Sequence, residues 1–328
     1  MAEAKKVRWG ILGPGRIARK FPEGLRHVAG AELVAVGSRS RENAEKFGEE
    51  FQVPRRHDSY EKLAADPDVD AVYVATPHPF HKDNSILCLK AGKAVLCEKP
   101  FTVNAADAQA VVRVARRRKV LLMEAMWSRF LPPIVKLREL LAAGTIGEVR
   151  MVMADFGFRA GWEPQSRLLN PQLAGGGLLD VGIYPVSLSS MILGMPDRVA
   201  GLAHLGQTGV DEQAAVVLGH TGGALSLIAT GVRTNTPHVA YVLGTEGSIQ
   251  LHPGWWRGSR LTVRAGGKTE DLDVPMVGNG YNYEADEIAR CLAAGKTESD
   301  VLPLSETLSI MKTMDAIRAQ WGLKYPME

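Results

Sequence analysis

Short apolar runs alternate with longer amphipathic stretches through the first part of the chain. The runs are short and largely apolar, which is typical of buried strands in a parallel sheet, and the stretches between them predict helices. The predicted strands cover 7–12, 32–36, 71–75, 94–97 and 120–124, and the predicted helices cover 17–28, 41–51, 83–91 and 104–118. This alternation predicts βαβ units and therefore an α/β domain built on a parallel sheet.

The pattern changes after residue 147, where long strands replace most of the helices. The predicted strands are 148–158, 198–205, 214–219, 224–232, 239–244, 248–252, 261–263 and 271–274, and two helices at 282–294 and 305–321 follow them. Such an order predicts an α+β domain with a large, mostly antiparallel, open sheet. We therefore assign residues 1–125 to the first domain and 126–328 to the second, with the C-terminal helices free to pack back on the first.

Two of the later strands, 214–218 and 224–229, are apolar on both faces. A sheet of this kind needs cover on both sides, and the helices of the same chain can cover one of them. A second subunit would cover the other, which predicts a homodimer through the C-terminal sheet. The alternative is a monomer whose two layers are both covered by its own chain.

Composition and charge narrow the class of protein. A chain of 328 residues has room for two domains, and a net charge of +3 without a long basic block does not indicate nucleic-acid binding. The three cysteines, Cys88, Cys97 and Cys291, have no paired spacing, which is typical of free thiols in a reducing compartment. With no signal peptide and no long apolar run in the sequence, we expect a cytoplasmic protein that does not bind membranes.

A glycine-rich turn joins the first predicted strand to the first predicted helix. It reads G-x-G-x-x-A, in which Gly13 permits the tight turn, Gly15 lets the backbone approach a pyrophosphate and Ala18 lets helix and strand pack closely. The free N–H groups of the helix N-terminus then face the phosphates. This context predicts a Rossmann domain that binds a dinucleotide, with loop contacts from Gly13, Pro14, Gly15, Arg16 and Ile17.

The end of the second predicted strand bears on the choice of dinucleotide. NAD-specific sites usually carry an acidic residue there to bind the ribose 2′-hydroxyl, but this chain has Ser38 and Arg39 instead. Ser38 can donate a hydrogen bond to a 2′-phosphate, and Arg39 can pair with it and stack on the adenine. The cofactor that this predicts is NADP; the alternative is a surface arginine near a helix start.

Four further segments carry a family resemblance. Thr76 and Pro77 with His81, then AGKAVLCEKP at 91–100, MEAMWSRF at 123–130 and GGLLDVGIY at 176–184, together resemble the glucose-fructose oxidoreductase, inositol dehydrogenase and rhizopine-catabolism (Gfo/Idh/MocA) family. The resemblance spans nearly the whole chain, and within the family it favours the branch of dimeric dihydrodiol dehydrogenases and NADP-dependent sugar dehydrogenases. It implies that Thr76, Pro77, His81, Glu98 and Lys99 contact the cofactor.

Lys99 follows the strand at 94–97, at the sheet edge where ligands bind in open α/β folds. The resemblance implies that this lysine lies beside the nicotinamide and the reacting carbinol, where its charge would make a neighbouring hydroxyl more acidic. Considered alone, a lysine before a proline is equally well explained as a surface side chain.

Asp180 and Tyr184 are four residues apart on a segment that we predict to be helical, so they share one face. The family commonly has histidine at the second position, and the resemblance implies that Tyr184 replaces it as the proton-transfer residue. Tyrosine has a reference pKa of about 10, so it needs the charge of Lys99 to act as a base at neutral pH. Asp180 would orient the substrate hydroxyl or the lysine. The alternative is a helix-face aspartate and a packed tyrosine.

The resemblance also implies a substrate role for Trp127, with Arg129 and Phe158 as further candidates, although packing in the core also explains such residues. His220, His238 and His252 lack the spacing of a metal site, and we predict no metal.

Together these features predict an NADP-dependent oxidoreductase that transfers hydride between nicotinamide and a carbinol carbon of a sugar or cyclic vicinal diol. Two alternatives stay open: a reductase of a keto-sugar or dicarbonyl, and a non-enzymatic protein of the same fold that senses NADP.

Overall fold

The computed structural model describes residues 6–328, and the chain divides into two compact units. Unit 1 contains the described residues up to Thr102, together with Ala106–Trp127 and Val277–Thr307. Unit 2 contains Val103–Ala105, Ser128–Met276 and Leu308–Glu328. The division thus assigns a C-terminal segment to unit 1, and the sequence-based boundary at residue 125 stays a prediction.

In the first part of the described chain, α-helices alternate with strands, as expected. In chain order they are α1 (Lys20–Leu25), α2 (Arg41–Glu50), α3 (Tyr60–Ala65), α4 (His81–Lys90), α5 (Ala105–Arg118), α6 (Pro132–Ala142), α7 (Ile183–Leu193), α8 (Tyr281–Ala293) and α9 (Leu304–Gln320). Ser40 shows why α2 begins where it does, because its side chain accepts a hydrogen bond from the backbone N–H of Asn43 over 3.3 Å. The sequence did not predict α3 or α6.

Unit 1 is built on a six-stranded parallel sheet. Its strands are β1 (Val7–Leu12), β2 (Ala31–Gly37), β3 (Arg55–His57), β4 (Ala71–Val74), β5 (Ala94–Glu98) and β6 (Leu122–Ala125), in the spatial order β3-β2-β1-β4-β5-β6. This is the strand order of the dinucleotide-binding fold, and it reverses direction between β1 and β4. The loops at the carboxyl ends of these two strands therefore flank the crevice in which such folds bind ligands.

Unit 2 is built on an eight-stranded sheet. Its strands are β7 (Val149–Gly157), β8 (Arg198–Leu205), β9 (Asp211–Gly219), β10 (Leu225–Gly231), β11 (Ala240–Gly244), β12 (Gly247–Leu251), β13 (Arg260–Ala265) and β14 (Lys268–Asp273). The order is β14-β13-β12-β11-β7-β10-β9-β8, and every neighbouring pair is antiparallel except β7 with β10. The predicted fold class is confirmed.

The two faces of this second sheet differ. Helix α7 packs on β7 and β10 from one side. On β7 to β11 there is also an apolar groove of about 780 Å³, whose lining includes Met153, Leu202 and Val217. Leu202 is 82% exposed and Val217 is 43% exposed, so the groove leaves large apolar side chains in contact with water.

One helical stretch, Pro171–Leu193, is long and apolar enough to cross a membrane by length and composition, but 78% of its apolar window is buried. Burial of this extent is what the core helix of a folded domain shows.

Candidate active site

The glycine loop after β1 is shaped by close contact with the end of β4. Gly13 has a φ of +89°, and a Cβ atom there would lie 2.8 Å from Cγ2 of Thr76. Its backbone N–H donates to the carbonyl of Gly37 at the end of β2, over 3.0 Å. A Cβ at Gly15 would meet only the carbonyl oxygen of Ala75, at 3.9 Å. Gly13 is therefore required by the fold, whereas Gly15 leaves its backbone open to a ligand.

A cavity of about 400 Å³ lies between this loop and the ends of β2 and β4. Seven of the residues assigned to the cofactor from the sequence line it, and none of the lining residues in the described chain carries a carboxylate. Those seven are Gly13, Pro14, Gly15, Ser38, Arg39, Thr76 and Pro77, and the sequence did not indicate the other four, Ser40, Asn43, Tyr60 and Ala75. Arg16 and Ile17 are exposed on the same loop.

Ser38 and Arg39 differ in their surroundings. Ser38 is buried, and its hydroxyl accepts a hydrogen bond from the backbone N–H of Ser40 over 3.1 Å. Arg39 is exposed, with its guanidinium carbon 5.5 Å from the centre of the Phe80 ring. Arg39 also lies near Tyr60, whose pKa is raised because the phenol is partly buried, although the charge of Arg39 opposes that rise. The cavity therefore has one exposed cation, Arg39, together with the hydroxyls of Ser38 and Tyr60.

His81 is fully enclosed and bridges two loops. Its Nδ1 lies 2.9 Å from the carbonyl of Pro100, and its Nε2 lies 2.7 Å from the carbonyl of Thr76. Burial lowers the pKa of the ring, although both carbonyls favour the protonated form. In this position His81 fixes the loop after β4 to the loop after β5, so any effect on a cofactor is exerted through those loops.

Glu98, the last residue of β5, is buried beneath the start of the next loop. The hydroxyl of Tyr73 donates to its Oε1, and the backbone N–H of Lys99 donates to its Oε2 over 3.1 Å. Glu284 of α8 lies in the same buried cluster, where burial and the charge of Glu98 raise its pKa well above the ordinary range. Glu98 therefore fixes the backbone of Lys99, whose own side chain is half-buried.

In unit 2, Asp180 and Tyr184 lie on a continuous helical segment, but its start is a π-helical turn, Leu178–Gly182, which leads into α7. This turn packs closely on β10, where a Cβ at Gly182 would lie 3.1 Å from Leu178 and 3.3 Å from Thr230. Asp180 is buried, and its Oδ1 accepts a hydrogen bond from Nη1 of Arg167 over 2.6 Å. The sequence did not indicate Arg167, which comes from an irregular loop.

Aromatic rings surround Tyr184 within unit 2. The Phe156 ring centre lies 5.4 Å from that of Tyr184, and Phe156 stacks on Trp256 at 3.5 Å. His238 meets the edge of Trp256 at 4.8 Å, and Phe158 lies 6.4 Å from Phe156. Sequence reasoning missed Trp256, although the pair at 255–256 in a short glycine-bounded segment was a usable signal. Tyr184 therefore lies beside the stacked rings of Phe156 and Trp256, which we call the aromatic wall.

Trp127 and Arg129, two of the predicted substrate residues, are both buried. Trp127 stacks on Tyr281 within unit 1, with ring centres 5.2 Å apart. The guanidinium of Arg129 donates from Nε to the hydroxyl of Ser187 over 3.0 Å and from Nη2 to the Ser187 carbonyl over 2.9 Å. Arg129 therefore holds α7 one turn beyond Tyr184, and its substrate role stays a prediction.

No group of three or more histidine, cysteine, aspartate or glutamate side chains that could hold a metal ion occurs in residues 6–328.

Two family models match the chain. One is described as the oxidoreductase family with an NAD-binding Rossmann fold and covers residues 7–126, and the other is the GFO/IDH/MocA C-terminal domain and covers 134–250. The chain is 40% identical to trans-1,2-dihydrobenzene-1,2-diol dehydrogenase of Mus musculus and 37% identical to that of Homo sapiens, each over 98% of this chain and 99% of the relative.

Solved structures are similar over the same span. The aldose-aldose oxidoreductase from Caulobacter crescentus, complexed with glycerol, has a TM-score of 0.89 at 27% identity, covering 96% of this chain and 97% of that one. The 3-ketoreductase KijD10 from Actinomadura kijaniata, in complex with NADP and TDP-benzene, has a TM-score of 0.85 at 25% identity, covering 96% and 98%. The chain belongs to the Gfo/Idh/MocA family and is an oxidoreductase, as its motifs predicted.

Proposed function

We propose that this protein is an NADP-dependent dehydrogenase that transfers hydride between the nicotinamide and a carbinol carbon of a sugar or cyclic vicinal diol. The observation that carries the proposal is the cavity of unit 1, which presents Ser38 and Arg39 and no carboxylate at the end of β2. A ribose 2′-phosphate is the group that such a set of donors suits. The complex of KijD10 with NADP supports the same choice.

The proposed substrate class rests on the surroundings of Tyr184. Phe156 is half-buried and stacks on the buried Trp256, and flat apolar rings of this kind suit contact with a ring substrate. The dihydrobenzenediol relatives and the aldose oxidoreductase act, by their names, on ring or polyhydroxy compounds. A carbinol on a ring would thus have its apolar side against this wall and its hydroxyl toward Tyr184.

The roles of the catalytic residues follow from their chemistry. Tyr184 in its tyrosinate form accepts the hydroxyl proton at its Oη in oxidation, and the neutral phenol returns that proton in reduction. The ammonium of Lys99 stabilises the alkoxide that develops as this proton leaves. Asp180, paired with Arg167, orients the substrate hydroxyl. The bound cofactor, held by the residues that line the cavity of unit 1, would supply the redox chemistry, as the hydride acceptor NADP in oxidation and as the hydride donor NADPH in reduction.

Spectroscopic assay at 340 nm tests the proposal, with NADP and NADPH supplied against matched panels of aldoses, cyclic diols, keto-sugars and dicarbonyls. Turnover of an aldose or diol with NADP supports it. Turnover of carbonyl substrates alone would make the protein a reductase, in which the same residues work in reverse. Tight NADPH binding without turnover of any panel member would make it a sensor and contradict the proposal.

The Arg39→Gln variant tests the cofactor assignment. We expect its KM for NADP to rise about 10- to 100-fold while its KM for NAD stays unchanged, because a charge-assisted bond to phosphate contributes about 1.5–3 kcal/mol. Steady-state kinetics with both cofactors measure this. Arg41→Gln is the matched control, since Arg41 pairs with Glu45 and does not line the cavity. Equal losses for NADP and NAD would refute a 2′-phosphate contact.

We also propose that the apolar groove of unit 2 is the interface of a homodimer. Leu202, at 82% exposure, is the side chain that gains most from cover by a second copy. We therefore expect Leu202→Asp to convert a dimer into a monomer in size-exclusion chromatography with light scattering. Val277→Asp is the control, because Val277 is 62% exposed but lies outside the groove. A wild-type monomer, or a dimeric Leu202→Asp variant, would argue against this interface.

The three cysteines are free thiols and all are buried. Their state supports our expectation of a reducing compartment, and we propose a cytoplasmic location.

A further inference from the structure

The backbone just before Asp180 makes an unusually tight approach to a buried carboxyl group. Gly176 has a φ of +118°, and a Cβ there would lie 2.1 Å from Oδ1 of Asp211. No side chain other than hydrogen fits at this position without displacing Asp211. The glycines of this turn thus let β9, which begins at Asp211, touch the start of the segment that carries Asp180 and Tyr184.

Asp211 holds that segment by its backbone. Its Oδ2 accepts the N–H of Leu178, the first residue of the π-helical turn, over 2.6 Å. Leu178 is two residues before Asp180, so the bond sets the starting point of the helical segment. Asp211 has no exposed surface, and its Oδ1 has no hydrogen-bond partner among the described residues.

Other elements hold the same turn. The hydroxyl of Tyr325, near the C-terminus, donates to the carbonyl of Gly175 over 2.6 Å, and the hydroxyl of Thr230 on β10 donates to that of Gly177 over 3.2 Å. The carbonyls are thus bound by two hydroxyls, while the N–H of Leu178 depends on Asp211. Removal of that carboxyl leaves a buried donor unpaired.

We propose that Asp211 is a positioning residue of the catalytic site, which acts by holding the N–H of Leu178 so that Asp180 and Tyr184 keep their place. The proposal rests on the proposed function, in which those two residues meet the substrate. It assigns a role in the reaction to a residue that lies 27 to 31 positions from them in sequence, as counted from 180, 184 and 211.

The charge of Asp211 is not what the role requires. Burial raises the pKa of this carboxyl to about 7, and of the charged groups near it Arg318 opposes that rise. Tyr325 also faces it, while the neighbouring Glu212 pairs with Arg233. A neutral carboxyl still accepts an N–H through its carbonyl oxygen. Asparagine should therefore replace Asp211 well, and alanine should not.

The test compares Asp211→Asn and Asp211→Ala with wild type. We expect Asp211→Ala to lower kcat about 10- to 100-fold, because a displaced catalytic group loses rate to that extent, with the NADP dissociation constant unchanged. We expect Asp211→Asn to stay within about threefold of wild type. Hydrogen–deuterium exchange of the 175–184 peptide, measured without cofactor, should be faster in Asp211→Ala only. Thr262→Val, which removes a buried hydroxyl from β13, controls for general loss of stability.

The pH dependence of stability supplies a second measurement that holds even if Asp211→Ala does not fold. Between the unfolded pKa of about 3.9 and the folded value of about 7, the folded wild type holds a proton that the unfolded chain has lost. Wild-type stability at this site therefore falls as pH rises through that window. Since asparagine does not titrate, the Tm of Asp211→Asn minus that of wild type should increase from pH 4 to pH 7 and then level off.

These measurements separate the two proposals. If wild type turns over no substrate, the proposed function fails. The exchange and Tm data still show in that case whether Asp211 stabilises the turn before Asp180. Wild-type exchange and kcat in Asp211→Ala would overturn the positioning role, as would a kcat loss in Thr262→Val equal to that in Asp211→Ala. A Tm difference that does not vary with pH would contradict the claim that Asp211 accepts the N–H of Leu178 as a buried, neutral carboxyl.

Discussion

Replacing Tyr184 with phenylalanine is expected to lower kcat by about 10²- to 10⁴-fold, the range that a positioned acid–base group contributes. The change removes one oxygen and leaves the ring, so the contacts with Phe156 and Trp256 persist. NADP binding should be unaffected, because the cofactor cavity is lined only by residues of unit 1. Loss of kcat with an intact dissociation constant would be specific for proton transfer.

Single-turnover kinetics give the cleanest measurement, since they separate hydride transfer from cofactor release. Tyr283→Phe is the matched control: its hydroxyl accepts the N–H of Val277 and takes no part in the proposed site. A Tyr184→Phe variant with wild-type turnover would remove Tyr184 from catalysis. Tyr184 would then be a tyrosine that packs on the face of its helix without a part in the reaction.

The second large effect is expected for Lys99→Met, which keeps the length of the side chain and removes its charge. We expect kcat to fall about 10²- to 10³-fold, because the alkoxide loses its electrostatic partner. The rising limb of the rate in the oxidation direction should also move to higher pH, since without the cation tyrosinate forms less readily. The rates of wild type and Lys99→Met, measured over a range of pH with saturating cofactor, test both expectations.

Lys90→Met serves as the control, because Lys90 is an exposed lysine at the end of α4. If Lys99→Met changed only the KM for the cofactor, Lys99 would be a binding residue. A pH profile that does not move would exclude a role for Lys99 in assisting Tyr184.

The sheet of unit 1 could be predicted because β4 is wholly apolar, β1 and β5 carry one charged residue each, and amphipathic helices alternate with these strands. Strand β3 could not, because Arg55, Arg56 and His57 carry no apolar signal and pair only at the sheet edge. Helix α6 was missed although it begins with two prolines, which suit the first turn of a helix.

Only those parts of the site that form short local motifs could be predicted from the sequence. The glycine loop, Ser38 and Arg39 form local patterns, and Asp180 with Tyr184 share one helical segment. The hydrogen bond from Leu178 to Asp211 joins residues 33 positions apart in sequence, and no local sequence motif near either residue indicates it. The sequence also did not indicate the π-helical turn at Leu178–Gly182, which we predicted only as helix.

The aromatic wall beside Tyr184 has a consequence for how this chain could diverge. Trp256 comes from a loop bounded by Gly254 and Gly258; a Cβ at Gly254 would meet no atom within 4 Å, although the φ of +81° favours glycine there. The turn before Asp180, in contrast, has no free space at Gly176. If Tyr184 transfers the proton and Trp256 faces the substrate, as we propose, selection for a new substrate would act on the tryptophan loop and keep the turn before Asp180 unchanged. On the proposed function, proton transfer and substrate choice are encoded on separate stretches of chain.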